Sequence, residues 1–256
     1  MTEDAPEAAS APEPAPAIPP PPERYPFWGY SDLLLFAGLT VPCMLLGWAI
    51  VKAVFAVFRV HTGLAVMELL PEQLFGCAFL FGALALILRL EYDRPFWRSL
   101  EWTSTRLPFL WIVICGLACA IVVAMLGSLI RTPNTGNPLT DLMQDRTSAI
   151  LMAVFGVTIA PLTEELAFRG FLQPLLVRSL GAAPGILLAA LPFGLLHFHE
   201  YGNSWRHAVL IALAGACFGW MRQATGSTRA SAIMHAAYNG FIFAVVFMQG
   251  KHLPHS

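Results

Sequence analysis

From Leu33 to Phe58 the sequence is almost wholly apolar, broken only by Lys52, and further apolar runs follow it along the chain. A helix needs ~20 residues to cross the hydrocarbon of a bilayer, and only helices or closed barrels satisfy their backbone groups there. Runs of this length therefore leave few alternatives to a membrane bundle. The later runs extend from about Leu74 to Leu90, Pro108 to Ile130, Ser148 through Arg169, Pro184 to His197, Trp205 to Trp220 and Ala230 to Met248. Phe171 to Leu180 is too short to span and has two faces, so it reads as an interfacial helix ending at Gly181. The pattern predicts an all-α polytopic bundle of about seven transmembrane helices plus that interfacial helix. Charged residues make up 12% of the chain, about half the share in a soluble domain. The net charge of -1 leaves no basic surface for nucleic acid.

Residues 1–27 are a different material. Proline and alanine dominate, five carboxylates are scattered among them, and Pro19 to Pro22 is unbroken. Such a segment buries too little apolar surface to offset its ordering entropy, so it reads as an extended, disordered acidic tail and not as a signal peptide. Residues 28–256 then form the integral membrane domain. The five cysteines all lie in apolar stretches without a CxxC pair and read as buried small hydrophobes. The stretch between the second and third runs carries Arg89, Arg94, Arg98 and Arg106. By the positive-inside rule it faces the cytoplasm, and the N-terminus with it. The expected location is the inner (plasma) membrane.

Three polar clusters interrupt the second half: EELAFR at Glu164–Arg169, FGLLH at Phe193–His197 and HAAYN at His235–Asn239. An ionisable group inside a span is expensive and marks function by default. Glu165 and Arg169 are four residues apart, share a helix face and can pair. Glu164, turned by roughly 100°, points elsewhere. Pro161 predicts a kink one turn before these carboxylates. Phe193 and His197 share a face, as do His235 and Asn239, and lipid can satisfy none of the polar groups.

A carboxylate, two imidazoles and a carboxamide make an inventory suited to hydrolysis. A desolvated glutamate can take a proton from water, an imidazole can hold that water, and imidazole with carboxamide can steady an oxyanion. Imidazole and carboxylate are also usual zinc ligands, so a metal-dependent version would use Glu164, His197 and His235. Neither HExxH nor GxSxG occurs, and Ser231 shows no acidic partner in the sequence, which disfavours a zincin or a serine hydrolase. Buried carboxylates and histidines also form proton relays, so a transporter is one alternative; a non-catalytic immunity or scaffold protein is another.

The order EExxxR, FxxxH, HxxxN in successive apolar helices resembles the intramembrane proteases related to the type II CAAX prenyl endopeptidase. In bacteria these are the CAAX-protease and bacteriocin-processing (abortive-infection) proteins. The residues carrying the resemblance are PLTEELAFRGFL (161–172), LPFGLLH (191–197) and TGSTRASAIMHAAYN (225–239), and it covers roughly 148–248. It implies a membrane endopeptidase with Glu164 as base, His197 positioning the water, and His235 with Asn239 at the oxyanion. Glu165, Arg169 and Phe193 would then give structural support. The implied partner is a protein or peptide substrate in or near the bilayer, not assumed to be prenylated. No cofactor is assigned, with zinc the alternative. One expectation is awkward: the topology puts His197 toward the opposite end of its short span from Glu164 and His235. A re-entrant 171–180 segment or a deep aqueous cavity would then be needed to bring them level.

Cysteine labelling of substitutions placed within 94–106 is expected to mark them from the cytoplasmic side. Labelling from outside alone would invert the topology.

Overall fold

The computed structural model describes residues 24–133 and 138–248. Its main elements are α1 (Tyr30–Val57), α2 (Val66–Tyr92), α3 (Phe109–Leu129), α4 (Arg146–Leu180), α5 (Ala182–Leu196), α6 (Trp205–Thr225) and α7 (Thr228–Met248). All but α5 are long and apolar enough to cross a membrane, and no strand occurs among the described residues. Large apolar side chains stand on the outside, among them Leu34, Val41, Leu45, Trp111 and Leu129. In water such a surface would drive association; facing acyl chains it is the expected one. These are the helices of a multi-pass membrane protein.

The helices pack in pairs. α1 lies on α2, α5 on α6, and α7 on α3. Small residues let these backbones approach, as expected where lipid removes the hydrophobic drive between helices. A Cβ on Gly116 of α3 would sit 2.4 Å from the carbonyl of Met234 on α7, and one on Gly194 of α5 would sit 2.3 Å from that of Ala208 on α6. α2 starts two turns earlier than its apolar run. Lys52 of α1 pairs with Glu68 and stands 3.7 Å from Glu72, so the polar first turns of α2 stay helical against α1.

Two cores result, and α4 stands between them. One gathers Ile112 and Val123 of α3, Phe193 of α5, Phe218 and Met221 of α6, and Met234 of α7, with Phe168 of α4 against it. The other gathers Trp28, Phe36, Leu80, Leu84 and Leu88 around Leu166 and Phe171 of α4. α4 serves both because it is not a regular helix. Asp145 caps its start by accepting from the Ser148 amide at 2.9 Å, and these bonds hold the Asp145 carboxyl below its usual range. The helix breaks at Thr158, just before Pro161, which has no N–H to give. It then widens into a π turn over Leu166–Leu172 before Gln173–Leu180 completes it.

The interfacial helix expected at Phe171–Leu180 is therefore the continuous end of α4. Phe171 and Leu175 are fully buried, and Phe171 stacks on Trp28 in the second core. Gly181, at φ 89°, ends the helix and lets α5 fold straight back along it. The acidic tail, expected to reach residue 27, lies outside the described residues as far as residue 23. Residues 24–27 are placed, and Pro26 is buried, so packed chain begins before residue 28.

Gly116→Ala is expected to push Met234 and its neighbour His235 outward. It should destabilise the protein by about 1–3 kcal/mol, the usual cost of overpacking, measurable as a lowered Tm in detergent.

Candidate active site

The break and the wide turn of α4 bracket the EELAFR cluster, so its two carboxylates diverge. Glu165 is fully buried. Its Oε1 accepts from Nη1 of Arg169 at 2.9 Å, and Nη2 of the same guanidinium donates to the Gly215 carbonyl of α6 at 2.7 Å. The cation also sits 4.3 Å from the centre of the Phe193 ring, a cation–π contact. Glu164 is only partly enclosed, with 29% of its side chain exposed, and no hydrogen bond from another described residue holds it.

Glu165 also reaches across to α7. His235 Nδ1 stands 3.0 Å from Oε1, and Ser231 bonds Oε2. The imidazole lies flat on Phe218, 4.4 Å between ring centres and 19° between planes. With its Nδ1 on Glu165 and its face on Phe218, His235 has one orientation, and Nε2 then looks toward Glu164, 3.8 Å from Oε2. That gap is too wide for a direct bond and is the kind a single water bridges.

His197, at the end of α5, directs Nδ1 to the Phe193 carbonyl at 2.8 Å. A carbonyl only accepts, so Nδ1 carries the proton and Nε2 is the free nitrogen. The Phe193 ring lies 4.9 Å from His197 and 5.7 Å from His235, so one aromatic ring spaces the two imidazoles. The depth mismatch expected between them is removed without a re-entrant segment. α5 has only 15 residues, about 22 Å of rise, less than a ~30 Å hydrocarbon layer requires. Glu200, just beyond it, feels the charges of both His197 and Glu164. Surrounding protein and the Glu164 charge push the Glu200 carboxyl above its usual range, with His197 and His199 opposing. Tyr201 beside it is pushed up to about 12, by burial first and then by Glu200 and Glu164.

Asn239 donates from Nδ2 to the Gly156 carbonyl at 2.7 Å, in the turn before the break of α4. One of its N–H groups is thus spent on holding α4 to α7, and a second remains. Ser231 is where the sequence reading fell short. It does have an acidic partner, Glu165, and it also bonds the Phe218 carbonyl at 2.9 Å. Being fully buried it cannot meet a substrate, so it acts as a fastener of the carboxylate. Its spacing held the clue: Ser231, His235 and Asn239 fall at successive intervals of four on one face of α7.

The donor set has the chemistry of a zinc site, and both imidazoles are steered through Nδ1 as metal ligands are. Among the described residues, however, no three His, Cys, Asp or Glu groups stand close enough together to hold an ion. No step is therefore routed through a metal.

A family model described as type II CAAX prenyl endopeptidase Rce1-like matches residues 146–241. Human CAAX prenyl protease 2 is 49% identical to this chain over 42 residues, which are 16% of this chain and 13% of the human protein. No solved structure matches it. The match contains α4 from its start, α5, α6 and most of α7, and with them all three polar clusters. The resemblance read from those clusters is thereby shown for this segment.

Glu165→Gln should leave the Arg169 cation buried and unpaired, at a cost of about 3–5 kcal/mol. Ser231→Ala should cost less, about 1–3 kcal/mol. Thermal unfolding in detergent would order the two; an equal or reversed order would remove Glu165 from the centre of the network.

Proposed function

We propose that the chain is a membrane-embedded endopeptidase that hydrolyses a peptide bond of a protein or peptide at the bilayer. The observation that carries this is the approach of Glu164 to 3.8 Å from an imidazole whose other nitrogen is fixed by a buried carboxylate, a base and an oxyanion donor side by side. The match to a CAAX endopeptidase family supports the reaction class. The human relative overlaps too short a stretch to lend its substrate, so the substrate is defined only as a peptide presented at the membrane.

In this mechanism Glu164 accepts a proton from water, and the oxygen, steadied by Nε2 of His197, attacks the carbonyl carbon. The electron pair of the C=O bond moves to oxygen. His235, when protonated on both nitrogens, keeps Nδ1 on Glu165 and donates from Nε2 to that oxyanion, joined by the second N–H of Asn239. Collapse of the intermediate breaks the C–N bond, and the proton held by Glu164 passes to the leaving amine. Glu165 and Arg169 take no part in the bond changes; they hold His235. Oxyanion donors of this kind contribute about 10²- to 10³-fold each, and a positioned base about 10²- to 10⁴-fold. On the same reading the end of the bundle bearing Arg98 and Arg106 faces the cytoplasm, in the plasma membrane.

The test uses a reporter peptide in proteoliposomes. Glu164→Gln is expected to lower kcat by at least about 100-fold with Tm unchanged, and His235→Ala by about 100- to 1,000-fold. If Glu165→Gln were folded and inactive while Glu164→Gln stayed active, the two carboxylates would exchange roles. Ion flux in vesicles that show no cleavage would favour a proton relay instead. Stoichiometric zinc in purified protein, with activity lost on its removal and regained on its return, would replace the metal-independent mechanism.

A further inference from the structure

At the end of the bundle away from the α5–α6 loop, a cavity of about 250 Å³ opens between the ends of α4 and α6, the N-terminal strap and the α2–α3 connection. It does not touch the candidate catalytic residues. Its wall includes Tyr25, Glu101, Gln173, Val177, Arg178 and Arg222. Two polar atoms of these lining residues are buried without a hydrogen-bond partner among the described residues: Nε of Arg178 and Oε1 of Gln173. Gln173 is 1% exposed, and its Nε2 is committed to the Gly219 carbonyl at 2.9 Å, so only the oxygen is left to accept. Orphaned buried groups are rare in native proteins, and each asks what fills it.

The charges ask the same question. Arg222 pairs with Glu101, bonds the Thr228 hydroxyl at 3.0 Å and reaches the Tyr25 hydroxyl at 3.2 Å. Arg178 bonds the Pro26 and Trp28 carbonyls through Nη1 and has no carboxylate partner among the described residues. Two guanidiniums therefore face one carboxylate, leaving a positive charge beside an unfilled acceptor. A guanidinium fork matches phosphate oxygens two at a time, and the free Gln173 oxygen calls for a hydroxyl.

The depth of the cavity indicates the source. Tyr30, Trp97 and Trp102 ring this end of the bundle, as aromatic residues do at headgroup level. We propose that the cavity is a binding site for the phosphate of an anionic, hydroxyl-bearing lipid headgroup such as that of phosphatidylglycerol. Arg178 and Arg222 hold the phosphate, and Gln173 accepts from a headgroup hydroxyl. Because the strap residues Tyr25 to Trp28 share Arg178 and Arg222, the bound headgroup also fastens the N-terminal chain to α4.

Native mass spectrometry of the full chain in detergent, titrated with phosphatidylglycerol, phosphatidylcholine or inorganic phosphate, tests this independently of any proteolysis. The expected result is a phosphatidylglycerol complex at least ten-fold tighter than that with phosphatidylcholine. Arg178→Gln should weaken it ten-fold or more, the scale of a lost charge-assisted bond. Because Arg178 also holds the strap, Gln223→Glu is the companion variant. It adds a carboxylate to the exposed rim of the cavity, touches no strap contact, and should weaken the lipid complex comparably. Inorganic phosphate binding with the same Arg178 dependence, and no preference for the lipid, would keep the phosphate site and assign it to a soluble source. Equal phosphatidylglycerol affinity in wild type and both variants would overturn the proposal. So would a peptide whose free C-terminal carboxylate, but not its amide, binds in an Arg178-dependent way while the lipid does not.

Discussion

A carboxylate with no exposure to solvent is the fixed point of this protein. Glu165 receives a guanidinium from its own helix, and a hydroxyl and an imidazole from another. Burying the ion would be prohibitive without those partners. Each partner is in turn committed elsewhere: Arg169 to Gly215, Ser231 to Phe218, His235 to the face of Phe218. Through that single group α4, α6 and α7 are set in register, and the direction of His235 Nε2 follows. Buried ion pairs add little net stability but penalise every alternative arrangement that separates them. Here the penalty specifies the geometry around Glu164.

The irregularity of α4 is the second requirement. A regular helix of 35 residues would present one continuous stripe to one core. The break at Thr158 and the wide turn at Leu166–Leu172 divide it into segments with different facing, so Phe168 serves one core while Leu166 and Phe171 serve the other. π turns recur at functional sites because an extra residue per turn redirects side chains that regular spacing would keep aligned. The carbonyls such turns leave free must be met. Trp28 donates from its indole nitrogen to that of Phe171 at 3.1 Å, and Asn239 serves Gly156 in the turn ahead of the break.

Much of this was legible in the chain because bilayer spans announce themselves by length and apolarity. The residues worth attention stood out against that background: Glu164, Glu165, Arg169, His197, His235 and Asn239 are costly in hydrocarbon. The Glu165–Arg169 pair followed from spacing alone. What the sequence hid was tertiary. Ser231 looked partnerless because its acid comes from a helix more than sixty positions earlier. Phe171–Leu180 looked interfacial because its polar positions read as solvated, whereas Gln173 is buried against α6 and Arg178 grips the strap. The levelling of His197 with His235 depended on where α5 stops, and helix ends are the least legible feature of a pattern.

The shortness of α5 has a consequence for the membrane itself. Its rise of about 22 Å falls roughly 8 Å short of a typical hydrocarbon layer, and the chain beyond it, His197 to Ser204, is polar. A span this short calls on the bilayer to thin around it, one of the ways in which undersized spans are accommodated. Such thinning would fall at the end of α5 that carries His197. Thinning of that kind shortens the journey for the one reactant a buried hydrolase lacks, water.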